Sequence, residues 1–241
     1  MITINPINTN NNYRPTFGIY FHTVKDNLGN IVYRGDTRFF RGDINWNKLV
    51  DFLEEKYKNT NDVEIIMHAC SNGEEAYSLI TVLLERLGQN AEKFFPILAK
   101  DIDTKHINLA KTGIYDISLI EKMEAKRYIG DNFYKYFDEC TNGKCSKPKE
   151  FIKNKVIFEW GDILEDVKTL SLKNKILLAR NFMPYLGKEE IYRYVNTLAQ
   201  KADESTTIII GGFDRDFGMD TLFNRFGFKR VGTHGVFEKK K

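Results

Sequence analysis

Five short apolar runs punctuate the chain: EIIMHAC at 64–70, FFPILAKD at 94–101, KVIFEW at 155–160, KILLAR at 175–180 and TTIIIGG at 206–212. They are rich in Ile, Val, Leu and Phe, which predicts strands covered on both faces. Segments with helical spacing separate several of them: EEAYSLITVLLERL at 74–87, TKHINLAKTG at 104–113 and KEEIYRYVNTLAQKA at 188–202. This alternation predicts an α/β fold, a doubly wound, mostly parallel sheet with helices on both sides. Upstream, FGIYFHTV and NIVYRG flank the turn KDNLGN and read as an N-terminal β-hairpin. A first helix follows in DINWNKLVDFLEEKY, with apolar Ile44, Leu49, Phe52 and Leu53 and with Asp43 as its candidate cap. VGTHGVFEKKK supplies a last strand in an edge hairpin, and no internal repeat is visible. Residues 122–155 are too long and too basic for an ordinary connection and read as a small insertion with its own structure. The expected organisation is therefore a tail and hairpin extension over 1–45, then one domain over 46–241 with an insertion at about 122–155.

Composition narrows the classes of partner. A chain of 241 residues, 42% hydrophobic and 29% charged, can bury one good core. Its 36 basic and 33 acidic side chains nearly cancel, so no nucleic-acid partner is expected. No run approaches the roughly 18 apolar residues that span a bilayer. The first residues, MITINPINTNNNYRP, have neither the basic start nor the apolar centre of a leader, so no membrane insertion and a cytoplasmic location are expected. Three cysteines without a paired framework fit a reducing compartment, and Cys140 and Cys145 read as free thiols in a loop. His22, His68, His106 and His234 lie far from them in sequence, so no metal site is expected.

Two places carry candidate chemistry. In a doubly wound sheet, ligands sit outside the carboxyl ends of the strands, over the first helix. Asn72, Gly73, Glu74 and Glu75 fall there. A glycine lets the backbone turn tightly, a helix start offers unpaired N–H groups to a carboxylate, and a nearby Glu can pair with an ammonium, so the turn suits a zwitterion. The competing reading is that Glu74 and Glu75 only complement the helix dipole. The second place is ILAKDIDTKHINLA, where Asp101 ends the second parallel strand and is placed to accept both hydroxyls of a ribose, with Asp103 as a helix cap. A solvated strand-end charge is the alternative for Asp101.

TRFFR, ACSNGEEAYS, AKDIDTKHINLAKTGIYD, VIFEWGDIL and ARNFMPYL, in this order over roughly residues 33 to 213, resemble the signature blocks of CheR-type chemotaxis receptor methyltransferases. The resemblance implies a Rossmann-like class I methyltransferase fold. It also implies S-adenosylmethionine (SAM) as cofactor, with S-adenosylhomocysteine as product, and methylation of glutamate side chains in the cytoplasmic region of a chemoreceptor. By position, Thr37 and Arg41 match residues that close over the cofactor, and Arg41 also steers a substrate carboxylate. Phe39 and Phe40 read as packing. Glu74 and Glu75 match the pair at the methionine end and Asp101 the ribose ligand. Asp162 and Ile163 stand where the family has Asn-Leu bracketing the adenine, and Asn181 and Phe182 where it has Asn-Val beside the methyl group. Tyr185 matches a tyrosine near the sulfonium, making Arg41 and Tyr185 the residues assigned to catalysis.

Methyl transfer to a carboxylate joins an electrophile that is already reactive to a nucleophile that is already ionised, so alignment and desolvation suffice and no general base is expected. Three departures stand out. The 36 residues before Thr37 are fewer than the family's N-terminal helical domain needs, and a hairpin stands in its place. GEEAYS lacks the family's proline after the glutamates, whereas Pro184 enters the block after the fourth strand and stiffens its loop. The insertion matches the family's small β-subdomain. A non-catalytic sensor or scaffold on a methyltransferase fold is the alternative function.

Overall fold

The computed structural model describes residues 37–240 apart from 142 and 144, together with two short strands, β1 (Val24–Lys25) and β2 (Ile31–Val32). These two pair antiparallel, Val24 with Val32 and Lys25 with Ile31, as expected of a hairpin. The N-terminal tail and the turn KDNLGN beyond Lys25 lie outside the described residues.

The remaining elements follow in chain order. They are α1 (Trp46–Lys56), β3 (Glu64–His68), α2 (Glu74–Leu87), β4 (Ile97–Asp101), α3 (Thr104–Thr112), α4 (Leu119–Ile129), α5 (Phe133–Tyr136), β5 (Phe137–Glu139), β6 (Ser146–Pro148), α6 (Glu150–Lys153), β7 (Val156–Trp160), α7 (Ile163–Thr169), β8 (Lys175–Ala179), α8 (Lys188–Lys201), β9 (Thr207–Ile209), α9 (Gly212–Asp216), α10 (Met219–Arg225), β10 (Phe228–Arg230) and β11 (Val236–Lys239). The main sheet has the order β10-β11-β9-β8-β3-β4-β7. β7, β4, β3, β8 and β9 run parallel, and the antiparallel β11 inserts between β9 and β10. The expected closing hairpin is present, but β10 rather than the last strand forms the edge. Strand order reverses between β3 and β8, the place at which a doubly wound sheet opens a crevice.

Within each continuous apolar run the side chains alternate between two cores. Ile65 and Met67 of β3 and Ile176 and Leu178 of β8 face the core under α1 to α6, whereas Ile66, Leu177 and Ala179 face the core under α7, α8 and α10. Phe39, Phe40 and Ile44 are buried in the first of these cores, so the chain ahead of α1 packs with the domain rather than apart from it. Asn45, not Asp43, caps α1: its side chain accepts from Lys48 N at 3.1 Å. The backbone of Asp43 comes two residues too early to cap, and its carboxylate is used elsewhere.

Residues 119–153 contain α4, α5, the β5–β6 hairpin and α6. Cys140 and Cys145 flank the loop of that hairpin and are joined as a disulfide, with Cα atoms 5.2 Å apart, which corrects the expectation of two free thiols. Antiparallel pairing brings them face to face, Cys140 N donating to Cys145 O at 2.8 Å. Cys70 is the buried free thiol.

Gly73 begins α2 in the left-handed region at φ 91°, and a Cβ there would lie 2.6 Å from Phe158 Cζ on β7. Both the conformation and the space therefore demand glycine. Gly73→Ala is expected to lose about 2–4 kcal/mol of stability in urea unfolding, from strain plus overpacking. A loss below about 0.5 kcal/mol would show that neither constraint operates.

Candidate functional site

The carboxyl ends of β7, β4, β3 and β8 stand side by side, and their loops assemble the site. Asp101, the last residue of β4, is 7% exposed. Its Oδ2 accepts from Ser71 N at 2.8 Å and its Oδ1 from Asp103 N at 2.9 Å, so the carboxylate ties the loop after β3 to the start of α3. Each oxygen retains a lone pair, the arrangement needed to accept two neighbouring hydroxyls. His106 Nδ1 lies 3.9 Å from Oδ1, and the carboxylate favours the charged imidazole. Asp103 caps α3, as expected, through Lys105 N.

The loop from β3 to α2 places Ala69, Ser71 and Gly73 at positive φ, alternating with ordinary residues, and so turns sharply enough to aim Ser71 N–H at Asp101. Left-handed conformations at two non-glycine residues in one turn are costly and persist where surrounding bonds over-determine them. Cys70 N donates to Lys100 O, Gly73 N to Cys70 O, and the buried Tyr115 hydroxyl to Asn72 O at 2.7 Å.

Glu74 and Glu75 open α2 and point apart, because successive helical residues differ by about 100° around the axis. The Glu74 carboxylate takes hydrogen bonds from Asn72 and Thr37, yet its Oε2 is buried without a partner, as is Asn72 Oδ1. Burial is the main cause that pushes the Glu74 carboxyl up to about 7. Glu75 turns instead to Arg180, with Oε2 2.7 Å from Nη1. Burial raises its pKa, opposed by Arg180 and Arg41.

Beyond β8, Arg180 is 5% exposed and also pairs with Asp43, its guanidinium 5.2 Å from the centre of the Trp46 ring. Asp43 Oδ2 accepts from Gly212 N at 2.8 Å and Asn181 Nδ2 at 3.2 Å. Although burial works against its charge, Arg180 and these donors leave the Asp43 carboxyl below its ordinary range. Asn181, at φ 60°, is held on every side: its N–H donates to Asp214, its Oδ1 accepts from Phe213 N, and a Cβ on Gly211 would fall 1.9 Å from Oδ1. Asp214 is fully buried, accepts from the N–H groups of Asn181, Gly211 and Met183, and is raised by burial to about 6.

The sequence-derived residues therefore separate into groups. Thr37, Asn72 and Glu74 meet at one spot, with Arg41 close enough to influence Glu75. Asp162 caps α7 through Leu164 N at 2.9 Å, next to Gly161, whose N–H donates to Asp101 O. Ile163 and Phe182 are buried in the second core, Phe182 edge-on to Tyr194, and Tyr185 is half-buried against Phe213. Glu75 parts from Glu74 and faces Arg180. Asp43, Arg180 and Asp214 were not assigned to the site from sequence. Arg180 stands beside Asn181 in the ARNFMPYL block, which was its only signal.

α7 is anchored from below. His68, at the end of β3, sits between the Tyr194 hydroxyl at 2.8 Å and Asp166 Oδ2 at 2.9 Å, and Lys100 pairs with the other Asp166 oxygen. Burial lowers the His68 pKa and favours the neutral ring, while His68 and Lys100, outweighing burial, bring Asp166 down to about 2.

The chain is 27% identical to a chemotaxis protein methyltransferase of Borreliella burgdorferi over 210 residues, 81% of this chain and 72% of that protein. Against chemotaxis protein methyltransferase 2 of Pseudomonas aeruginosa it is 28% identical over 152 residues, 63% of this chain and about half, 53%, of the relative. Among solved structures, a TehB-like SAM-dependent methyltransferase from Corynebacterium glutamicum aligns with a TM-score of 0.43 and 13% identity, covering 83% of this chain and 90% of that one. Residues 35–231, from ahead of Thr37 to beyond β10, match the family described as CheR methyltransferase, SAM binding domain. The chain thus belongs to the CheR methyltransferase family and carries its SAM-binding domain.

Proposed function

We propose that the protein transfers the methyl group of SAM to a glutamate carboxylate of a protein, in the cytoplasmic region of a chemoreceptor. The observation that carries the cofactor half of this reading is the buried, unpartnered Oε2 of Glu74 beside the unpartnered Oδ1 of Asn72. Two buried acceptors without donors are costly unless a ligand supplies them, and an α-ammonium group does so. Asp101 would take the ribose hydroxyls, and the Asp162–Ile163 pair would border the adenine. When bound, SAM supplies a sulfonium-activated methyl group. Thr37 would hold Glu74 in place from the segment ahead of α1, and Arg41 on the same segment would draw the acceptor carboxylate towards the site. Tyr185 would line the approach with its ring face and hydroxyl, both favourable to a cation. No residue is needed to remove a proton, because a glutamate carboxylate is ionised at neutral pH. The protein substrate is supported by the relatives' naming as chemotaxis protein methyltransferases.

Two outcomes are expected. Titration calorimetry with SAM and S-adenosylhomocysteine should give micromolar binding, weakened more than about tenfold by Asp101→Ala through loss of two charge-assisted hydrogen bonds. If neither ligand binds the folded wild type, the proposal is lost; if binding is found, transfer of tritiated methyl to receptor fragments tests the acceptor, and base-stable label would exclude a carboxyl ester.

The second outcome concerns pH. The Glu74 carboxyl sits near 7 without ligand, and a bound ammonium favours its ionised form, so binding at lower pH must first remove a proton. Affinity for S-adenosylhomocysteine should fall roughly tenfold from pH 7.5 to pH 6 and flatten in Glu74→Gln. An equal pH dependence in that variant would assign the titration to another group.

A further inference from the structure

β7 forms an edge of the main sheet: it pairs with β4 on one side, and among the described residues no strand lies on the other. Ile97 N donates to Lys155 O at 2.8 Å and Gly161 N to Asp101 O at 3.0 Å, which commits the odd-numbered backbone groups of β7 to the ladder with β4. The N–H and C=O groups of Val156 and Phe158 therefore point away from the sheet, and they meet no hydrogen-bond partner among the described residues. Natural sheets commonly blunt such an edge with a proline or a bulge. β7 contains no proline, and its register with β4 runs unbroken from Val156 to Trp160.

The side chains of the strand sort by face. Val156 and Phe158 turn into the core, whereas Lys155, Ile157 and Glu159 lie on the opposite face, where Ile157 is 46% exposed beside Leu98 of β4. Lys155 Nζ donates to the two oxygens of Glu92 at 2.7 Å and 2.8 Å, and an ammonium has a third hydrogen to give. Glu159 is exposed and has no ion pair among the described residues.

This row is its own complement. When a second copy adds antiparallel along β7 with a twofold axis at Ile157, Val156 stands opposite Phe158 of the second copy, and each such pair exchanges both outward bonds. Lys155 then stands opposite Glu159 and Ile157 opposite itself, in the closer positions between the bonded pairs. Moving the axis to Val156 or to Phe158 also matches the outward groups, but it sets Ile157 against Lys155 or against Glu159.

We propose that β7 is a self-association edge, through which two copies of the chain join antiparallel into one continuous sheet centred on Ile157. Lys155, Ile157 and Glu159 have no part in the cofactor reading above, so the two stand or fall separately.

The test follows sedimentation velocity and amide exchange of the full chain over roughly a hundredfold range of concentration. The wild type should pass from one copy to two as concentration rises. The amides of Val156 and Phe158 should gain protection with the dimer, while those of Ile157 and Glu159, already in the ladder with β4, are protected throughout and report that the strand is intact. Glu159→Lys sets two lysine pairs across the axis and should weaken association at least about tenfold. Lys155→Glu combined with Glu159→Lys exchanges the signs and should restore it to within about threefold of wild type. If that double variant does not fold, because Lys155 also gives up Glu92, Ile157→Arg supplies the comparison: the axis sets the residue against itself, and the dimer should be lost. A wild type that stays monomeric at every concentration overturns the proposal. So does a dimer whose Val156 and Phe158 amides exchange as in the monomer, or one that Glu159→Lys leaves intact. A monomer in which those amides gain protection only with an added receptor fragment assigns the edge to a foreign strand and overturns it as well.

Discussion

A buried guanidinium is stable only where carboxylates and hydrogen bonds replace the water it has lost. Arg180 draws Asp43 and Glu75 to the end of the central strands as its counter-ions, with the Trp46 ring on a further side and with Nε and Nη1 left without hydrogen-bond partners. Three consequences follow for the architecture. The chain ahead of α1 is pinned beside the sheet, the first turn of α2 is oriented, and Asp43 is left with a second oxygen that gathers Gly212 N–H and Asn181. The crevice at the reversal of strand order is thereby lined by fixed groups rather than by loose loops.

Around that centre the acids differ in state although they share a chemistry. Asp43 lies below its ordinary range, and Asp166 is brought down to about 2, because hydrogen-bond donors and a neighbouring cation, Arg180 for the first and Lys100 for the second, together outweigh burial. Glu74 and Asp214 are pushed up by burial, to about 7 and about 6, with backbone donors that only partly offset it. The contrast separates scaffold from site. Asp43, Asp166 and Asp214 have their acceptors occupied and serve as fasteners, whereas Glu74 keeps a buried oxygen without a donor. An unused acceptor in a dry position is the mark of a group waiting for a ligand.

How far the sequence could be read depended on the range of the interaction involved. The strands at 64–68, 97–101, 156–160 and 175–179 were legible because unbroken apolar runs have few other uses. The turn before α2 and the acid at the end of β4 were legible because position in a doubly wound fold assigns their task. Asp43 as a cap was misread: short-range rules favour any acid before a helix, whereas its actual partner is 137 residues away. The Cys140–Cys145 bridge was missed for a related reason, since spacing alone does not reveal that the loop between them folds back as a hairpin.

By itself, then, the sequence determined the class of fold, the order of its parallel strands and of the helices at 46–56, 74–87, 104–112 and 188–201, and which few residues stand at the strand ends, because local periodicity and chain order specify these. Tertiary structure alone decided that Glu74 and Glu75 part company, that Arg180 joins segments from three regions of the chain, and that Thr37 reaches Glu74. Adjacent letters in a sequence carry no record of the direction in which their side chains point or of the distant charge that each will meet. Those follow only when packing has removed the water and left each buried charge to find its partner.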